Sequence, residues 1–221
     1  ALDALCCQTV NGHTIRPKIV VSTATVRRAE HQIRALFNHR VVDIFPPPGP
    51  DRRQSFFAET HPRDQSHPRL YLGIAAQGRS PKVVMLRVYL VVLAAAQRAS
   101  LAHGTTKDPA NPADPYMTLL GYFNSLRELG GARRLIEDEV SNRLVGYGSR
   151  MRVGETVGLF ADRTVAYEVV ELTSRVSTDQ VAEAKQRLAR PFSAPEHVDV
   201  AIATNMISVG LDITRLGLMV V

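Results

Sequence analysis

Runs of β-branched and aliphatic residues alternate along this chain with stretches in which apolar side chains recur every three or four positions. Lys18 to Val21 is the first β-branched run and predicts a strand, stopped by the hydroxyl-bearing Ser22-Thr23-Ala24-Thr25. Val26, Ile33, Leu36 and Phe37 then share one face at helical spacing, with Thr25 placed to cap the first turn. Ala1 to Val10 reads as a further helix. From Asn38 to Pro68 the periodicity is lost among Pro46-Pro47-Pro48-Gly49-Pro50, Pro62, Pro68 and scattered charges, which predicts a linker or crossing segment.

Periodicity returns at Arg69 to Ala75, a short predicted strand, and continues into a helix from about Pro81 to Ser100 with proline in its first turn. That helix is apolar nearly all round, which predicts a position sandwiched inside a domain. Met117 to Phe123 follows as strand, Ser125 to Leu144 as helix, and Gly146 to Arg163 as loop. Strand Val165 to Leu172, helix Thr178 to Leu188, strand Val198 to Ala203 and strand Leu218 to Val221 complete the order. Strands and helices in alternation predict an α/β fold, with a mostly parallel sheet covered by helices on both faces. Ligands of such sheets bind beyond the carboxyl ends of the strands. That rule directs attention to Thr23 to Thr25, Phe123 to Arg127, Thr173 to Arg175 and Thr204 to Asp212.

Composition narrows the class. With 45% apolar and 22% charged residues, the chain is neither disordered nor fibrous. Lysine and arginine total 27 against 21 acids, a formal charge of +6, and lysine supplies only Lys18, Lys82, Lys107 and Lys185. Arginine carries the excess, and its planar fork suits phosphate, so a polyanionic partner is expected. Cys6 and Cys7 are adjacent and provide no disulfide framework, and the seven scattered histidines give no metal-ligand spacing. Apolar runs such as Val88 to Ala96 fall short of the ~20 residues that span a bilayer, so the expectation is a cytoplasmic protein without a membrane partner.

The segment VDVAIATNMISVGLDITRLGLMVV, from Val198 to Val221, carries the most chemistry. A buried strand ends in Ala203-Thr204-Asn205, and Gly210, Leu211 and Asp212 follow after a short spacer. A hydroxyl and an amide just past a strand end can donate to a phosphate oxygen. A glycine lets backbone approach a ligand closely, and a carboxylate can accept from a ribose hydroxyl. The bland alternative is a strand, a glycine turn and an aspartate that caps a helix.

The spacing Ala-Thr, five residues, Gly, a hydrophobe and Asp resembles motif V of superfamily 2 helicases. Thr23-Ala24-Thr25 after an apolar strand resembles their motif III, and Leu119 to Arg127 resembles motif IV. The order III, IV, V matches, and Glu171 to Arg175 lies where that family places a strand between motifs IV and V. In longer wording, STATVRRAE, DPYMTLLGYFNSLRELGGARRLI, ELTSR and ATNMISVGLDITRLGLMVV together resemble the helicase subunit of bacterial DISARM antiphage systems.

The resemblance implies an ATP-driven motor on DNA that works with other defence subunits. It implies that residues 1–37 end a first RecA-like lobe, 38–68 cross over, and 69–221 form part of a second RecA-like lobe. Gly210 and Asp212 would face ATP; Thr204, Asn205, Ser125, Arg127 and Arg175 would contact the DNA backbone; Thr23, Ala24 and Thr25 would couple the two sites. None of the four lysines follows a glycine, so the P-loop signature is absent from this chain. The arginine-rich motif VI is absent too, and Glu137-Asp138-Glu139 sits in a helical pattern, as a solvated face rather than a metal-binding acidic pair. These absences, and ends that look cut, imply a fragment inactive alone, with the P-loop and Mg²⁺ ligands supplied by the first lobe. A non-catalytic α/β scaffold that docks nucleic acid or partner subunits is the competing expectation.

Overall fold

The computed structural model describes residues 5–22, 28–37, 41–45, 50–51, 54, 56–62, 64–66, 68–204 and 213–221. It divides into two compact units, Ala1–Leu72 and Gly73–Val221.

Of the helix expected over Ala1 to Val10, residues 1–4 lie outside the described residues, Leu5 and Cys6 are helical, and from Gln8 the chain forms a hairpin instead. Strands β1 (Gln8–Val10) and β2 (His13–Ile15) pair antiparallel, with Val10 opposite His13. Asn11 and Gly12 between them have φ of 52° and 78°. Two positive φ values in a two-residue loop match the right-handed twist of paired strands, so Asn-Gly closes a hairpin and overrides the apolar run before it. Lys18 to Val21 forms no strand: the segment has no ladder partner among the described residues, and Val20 stays exposed. Helix α1 (Ala29–Phe37) starts later than the pattern predicts, and Arg34 ion-pairs with Glu30 one turn back. The residues on which the earlier start and its cap depend, 23–27, lie outside the described residues. In the crossing stretch the rings of Phe45, Phe56 and Phe57 meet at centroid distances of 5.1 to 5.8 Å.

Arg69 to Ala75 does not form the expected strand; Leu70, Tyr71, Leu72 and Ile74 are all exposed. A strand exists only through its ladder, and the parallel sheet of the second unit is built without this segment. Ser80 caps helix α2 (Pro81–Ala102), its hydroxyl accepting from the Val83 amide, with Pro81 in the first turn where no amide is needed. Strand β3 (Leu119–Phe123) leads into helix α3 (Leu126–Leu135), which runs through a π-helical turn, Ile136–Val140, into α4 (Ser141–Leu144). Strand β4 (Val170–Leu172), helix α5 (Thr178–Ala189), strand β5 (Val200–Thr204) and strand β6 (Leu218–Val220) follow.

The sheet order is β4-β5-β3-β6 and every pairing is parallel, as the alternation of elements predicts. Leu119 aligns with Val200 and Leu218, and Phe123 with Thr204. Because side chains alternate across a strand, Leu119, Val200 and Ile202 face one side, where they pack with Leu93 of α2 and Leu129 of α3. Leu120, Ala201 and Ala203 face the other, against Leu188 of α5. Helices thus cover both faces. Each fully buried leucine or isoleucine here contributes roughly 1.5–3 kcal/mol.

Two features depart from the expected α2 and β4. Helix α2 is long and apolar enough to cross a membrane by length and composition, yet it buries one side against the sheet and exposes Val83, Val91 and Leu101 on the other. It is a covering layer, not a sandwiched core helix. The expected strand from Val165 shortens to Val170–Leu172, because the Ala166 amide donates to Asp199 Oδ2 at 2.9 Å instead of to a neighbouring strand.

Candidate functional site

The carboxyl ends of β4, β5 and β3 meet along one edge of the sheet, and the sequence-predicted residues within the described chain cluster there. After Phe123 the backbone turns through Asn124 to Ser125, which is extended, with φ −142° and ψ 152°. Its hydroxyl accepts from the Glu128 amide at 3.3 Å and so starts α3. Arg127 projects from that first turn and is exposed. The free amides of a helix start carry partial positive charge, so Ser125 and Arg127 sit where an anion is favoured.

On the other side of β5, the chain leaving β4 makes a tight polar turn. Thr173 donates to Glu171 Oε1 at 2.6 Å and accepts from the Arg175 amide at 3.3 Å. That arrangement aims the Arg175 guanidinium back across the end of the sheet. Its Nη2 donates to the Leu126 carbonyl at 3.4 Å, and its Nε lies 3.9 Å from Glu171 Oε1. Arg133 of α3 reaches Glu171 as well, at 3.3 Å, while holding Glu137 at 2.8 Å; those carboxylates raise its pKa above the ordinary arginine value. Arg175 is exposed and has donors to spare, since a guanidinium carries five.

Thr204 ends β5 between these two groups, opposite Phe123 in register. It is 4% exposed, so its hydroxyl belongs to the packed end of the strand and not to the outer surface. The structure brings Ser125, Arg127, Arg175 and Thr204 to one edge. Asn205, Gly210 and Asp212, together with Thr23, Ala24 and Thr25, lie outside the described residues. Glu171 and Thr173 lie in the ELTSR stretch to which the sequence directs attention, but their part in holding Arg175 is not legible there; it emerges from the turn that follows β4, with Val170 and Leu172 buried and Glu171 on the opposite face.

Other polar groups of the second unit are engaged within the fold. Arg215 Nε donates to Asp114 Oδ2 at 2.6 Å and its Nη1 to Thr118 at 3.0 Å, both pinning the amino edge of the sheet. Glu137 and Glu139 pair with Arg133 and Arg143 along the helical run. Gly148 lies in a 3₁₀ turn, its amide donating to Asp162 at 2.6 Å. Among the described residues no group of three His, Cys, Asp or Glu side chains converges as a metal site.

No family model matches the sequence. Over 207 residues, 94% of this chain, it is 38% identical to the DISARM protein DrmA of Bacillus paralicheniformis. The chain is related in sequence to that DISARM protein. Such identity over nearly the whole chain goes far beyond a shared short motif, and covers both units. The chain spans 17% of the length of that DISARM protein, so the relationship concerns one region of it.

Proposed function

We propose that this chain is part of an ATP-dependent DNA helicase or translocase in DISARM-type antiphage defence, its second unit acting as the second RecA-like lobe. One observation supports the reading: three parallel strands end together beneath Ser125, Arg127 and Arg175, at the edge where ligands of parallel sheets bind. In this reading Arg127, Arg175 and the helix start at Ser125 grip phosphates of a DNA strand. Thr204, being buried, anchors the start of the segment that carries Asn205 toward the strand and Gly210 and Asp212 toward ATP. Thr23, Ala24 and Thr25 couple the sites. The P-loop and the Mg²⁺ ligands belong to another lobe, which supplies the phosphoryl-transfer chemistry, and further defence subunits are the protein partners.

Linkage gives the coupling a physical basis. If one short segment touches both ligands, any closure driven by ATP shifts the grip on DNA, and DNA shifts ATP affinity by the same factor. The test is binding of single-stranded DNA to the chain across a salt series. Arg127→Ala with Arg175→Ala is expected to weaken binding and to flatten the log–log salt slope by about 0.7 for each phosphate no longer neutralised. Unchanged affinity and slope would remove the edge from the DNA path.

A further inference from the structure

A concavity lies between α2 and the helical run from Leu126 to Leu144, lined by helix and loop side chains and by no strand end. It encloses about 340 Å³. Its floor is apolar, made by the buried side chains of Leu86, Leu90 and Leu135. Its rim is cationic: Lys82, Arg87, Arg143 and Arg150 surround it, with Glu139 the one carboxylate in the lining.

Arg143 takes up that carboxylate at 2.5 Å. Arg150 is laid over the ring of Tyr147, 4.6 Å from its centroid, which fixes its direction without neutralising it. Among the described residues no ion pair engages Lys82, Arg87 or Arg150, and all three are exposed. Cations of one sign around a concavity with low-dielectric walls repel each other and focus a positive field into it. Solvated surface arginines ordinarily interleave with acids, as Arg133 and Arg187 do in this same unit. A ligand that suits this groove carries phosphate for the rim, which guanidinium binds in a fork, and a flat, weakly polar body for the floor. The volume sits at the small end of ligand sites, enough for one nucleotide and not for a duplex.

We propose that the groove binds one nucleotide unit, its phosphate held by Lys82, Arg87 and Arg150 and its base resting on Leu86, Leu90 and Leu135. The unit is a free nucleotide or one residue of a single strand. The site shares no residue with the carboxyl edge of the sheet and stands whether or not the motor reading holds.

The test uses the full chain with the edge cations removed, Arg127→Ala with Arg175→Ala, so that binding at the groove is read by itself. Probes are a fluorescein-labelled oligothymidylate of about 12 nucleotides, AMP and inorganic phosphate. Adding Lys82→Glu with Arg87→Glu is expected to weaken oligonucleotide binding about tenfold or more and to lower the salt slope. Arg150→Ala, which leaves the surrounding charges in place, should weaken it less but measurably. Equal melting temperatures before and after substitution show that folding is intact. Displacement of the oligonucleotide by AMP identifies a free-nucleotide site; no displacement, with the reversal still effective, identifies a strand site. Wild-type affinity in both groove variants overturns the proposal, as does absence of binding to either nucleotide probe. Inorganic phosphate competing as well as AMP would show that the floor plays no part, and overturns the nucleotide assignment. Weaker binding in the edge variant alone, with the groove variants silent, would leave the edge reading standing and this one refuted.

Discussion

Arg163 donates to Asp199 Oδ1 at 2.7 Å, and the two side chains are each 2% exposed. The same guanidinium donates to the Met117 carbonyl at 2.5 Å, and Asp199 Oδ2 accepts from the Ala166 amide. Asp199 immediately precedes β5 and Met117 lies two residues ahead of β3, so this buried pair fixes where the two central strands begin. Burial pulls the Arg163 pKa below the ordinary arginine value, and Asp199 opposes that pull. Removing one partner leaves a buried charge uncompensated. Asp199→Ala is expected to cost about 3–5 kcal/mol in urea unfolding, and replacing Arg163 as well by Met is expected to recover part of that stability. A cost under about 1 kcal/mol would show that the pair does not organise the strand starts.

Tyr89 and Gly121 form a second fixed contact. Any Cβ at position 121 would collide with the Tyr89 hydroxyl, so glycine in β3 is what lets α2 lie close on the sheet. That hydroxyl is buried without a hydrogen-bond partner, and burial pushes its pKa above the ordinary tyrosine value. Gly121→Ala should destabilise by roughly 1–3 kcal/mol through overpacking. Tyr89→Phe removes the unsatisfied group and the tightest clash together, leaving the Phe123 ring 3.1 Å away, so it should be neutral or stabilising alone and should partly rescue Gly121→Ala in a double-mutant cycle. Additive effects would contradict this packing relationship.

Much of the second unit is legible in the sequence because its patterns are local. The strand Val198 to Ala203 and the helices Ser125 to Leu144 and Thr178 to Leu188 each announce their element without help from the rest of the chain. Leu70, Tyr71 and Leu72 mislead because a short apolar run signals a strand while saying nothing of a partner. The β1–β2 hairpin escapes a reading that starts from the apolar residues before it, although Asn11-Gly12 is the strongest short-range signal for one. Of the candidate site, the convergence of Ser125 and Arg175 follows from strand order, which sequence periodicity does not encode. The pairing of Arg163 with Asp199, 36 residues apart, is equally invisible: a loop arginine looks solvated until the fold buries it.

Glu168 and Arg187 make a bidentate surface pair, with oxygens 2.7 and 3.1 Å from the guanidinium. The Arg187 hydrogen bonds hold the Glu168 carboxyl below the usual value of 4.5. A depressed folded-state pKa means that the pair's stabilisation is full above that usual value and fades as pH falls through the lowered one. Because Glu168 is largely exposed, the contribution is at most about 1 kcal/mol. Glu168→Gln should therefore lower the melting temperature slightly at pH 7 and not at pH 2–3. A larger effect at low pH would reverse the assigned sign.

In the proposed motor the segment beginning at Thr204 links nucleotide to DNA. The most direct test of that reading is ATP hydrolysis, with and without single-stranded DNA, by a polypeptide that joins this chain to the P-loop lobe the proposal requires. Asp212→Ala is expected to lower turnover under both conditions. Thr204→Val, which keeps the buried shape and deletes the hydroxyl, is expected to spare basal turnover and reduce its stimulation by DNA. Wild-type turnover and stimulation in both variants, or the reverse ranking, would contradict the account.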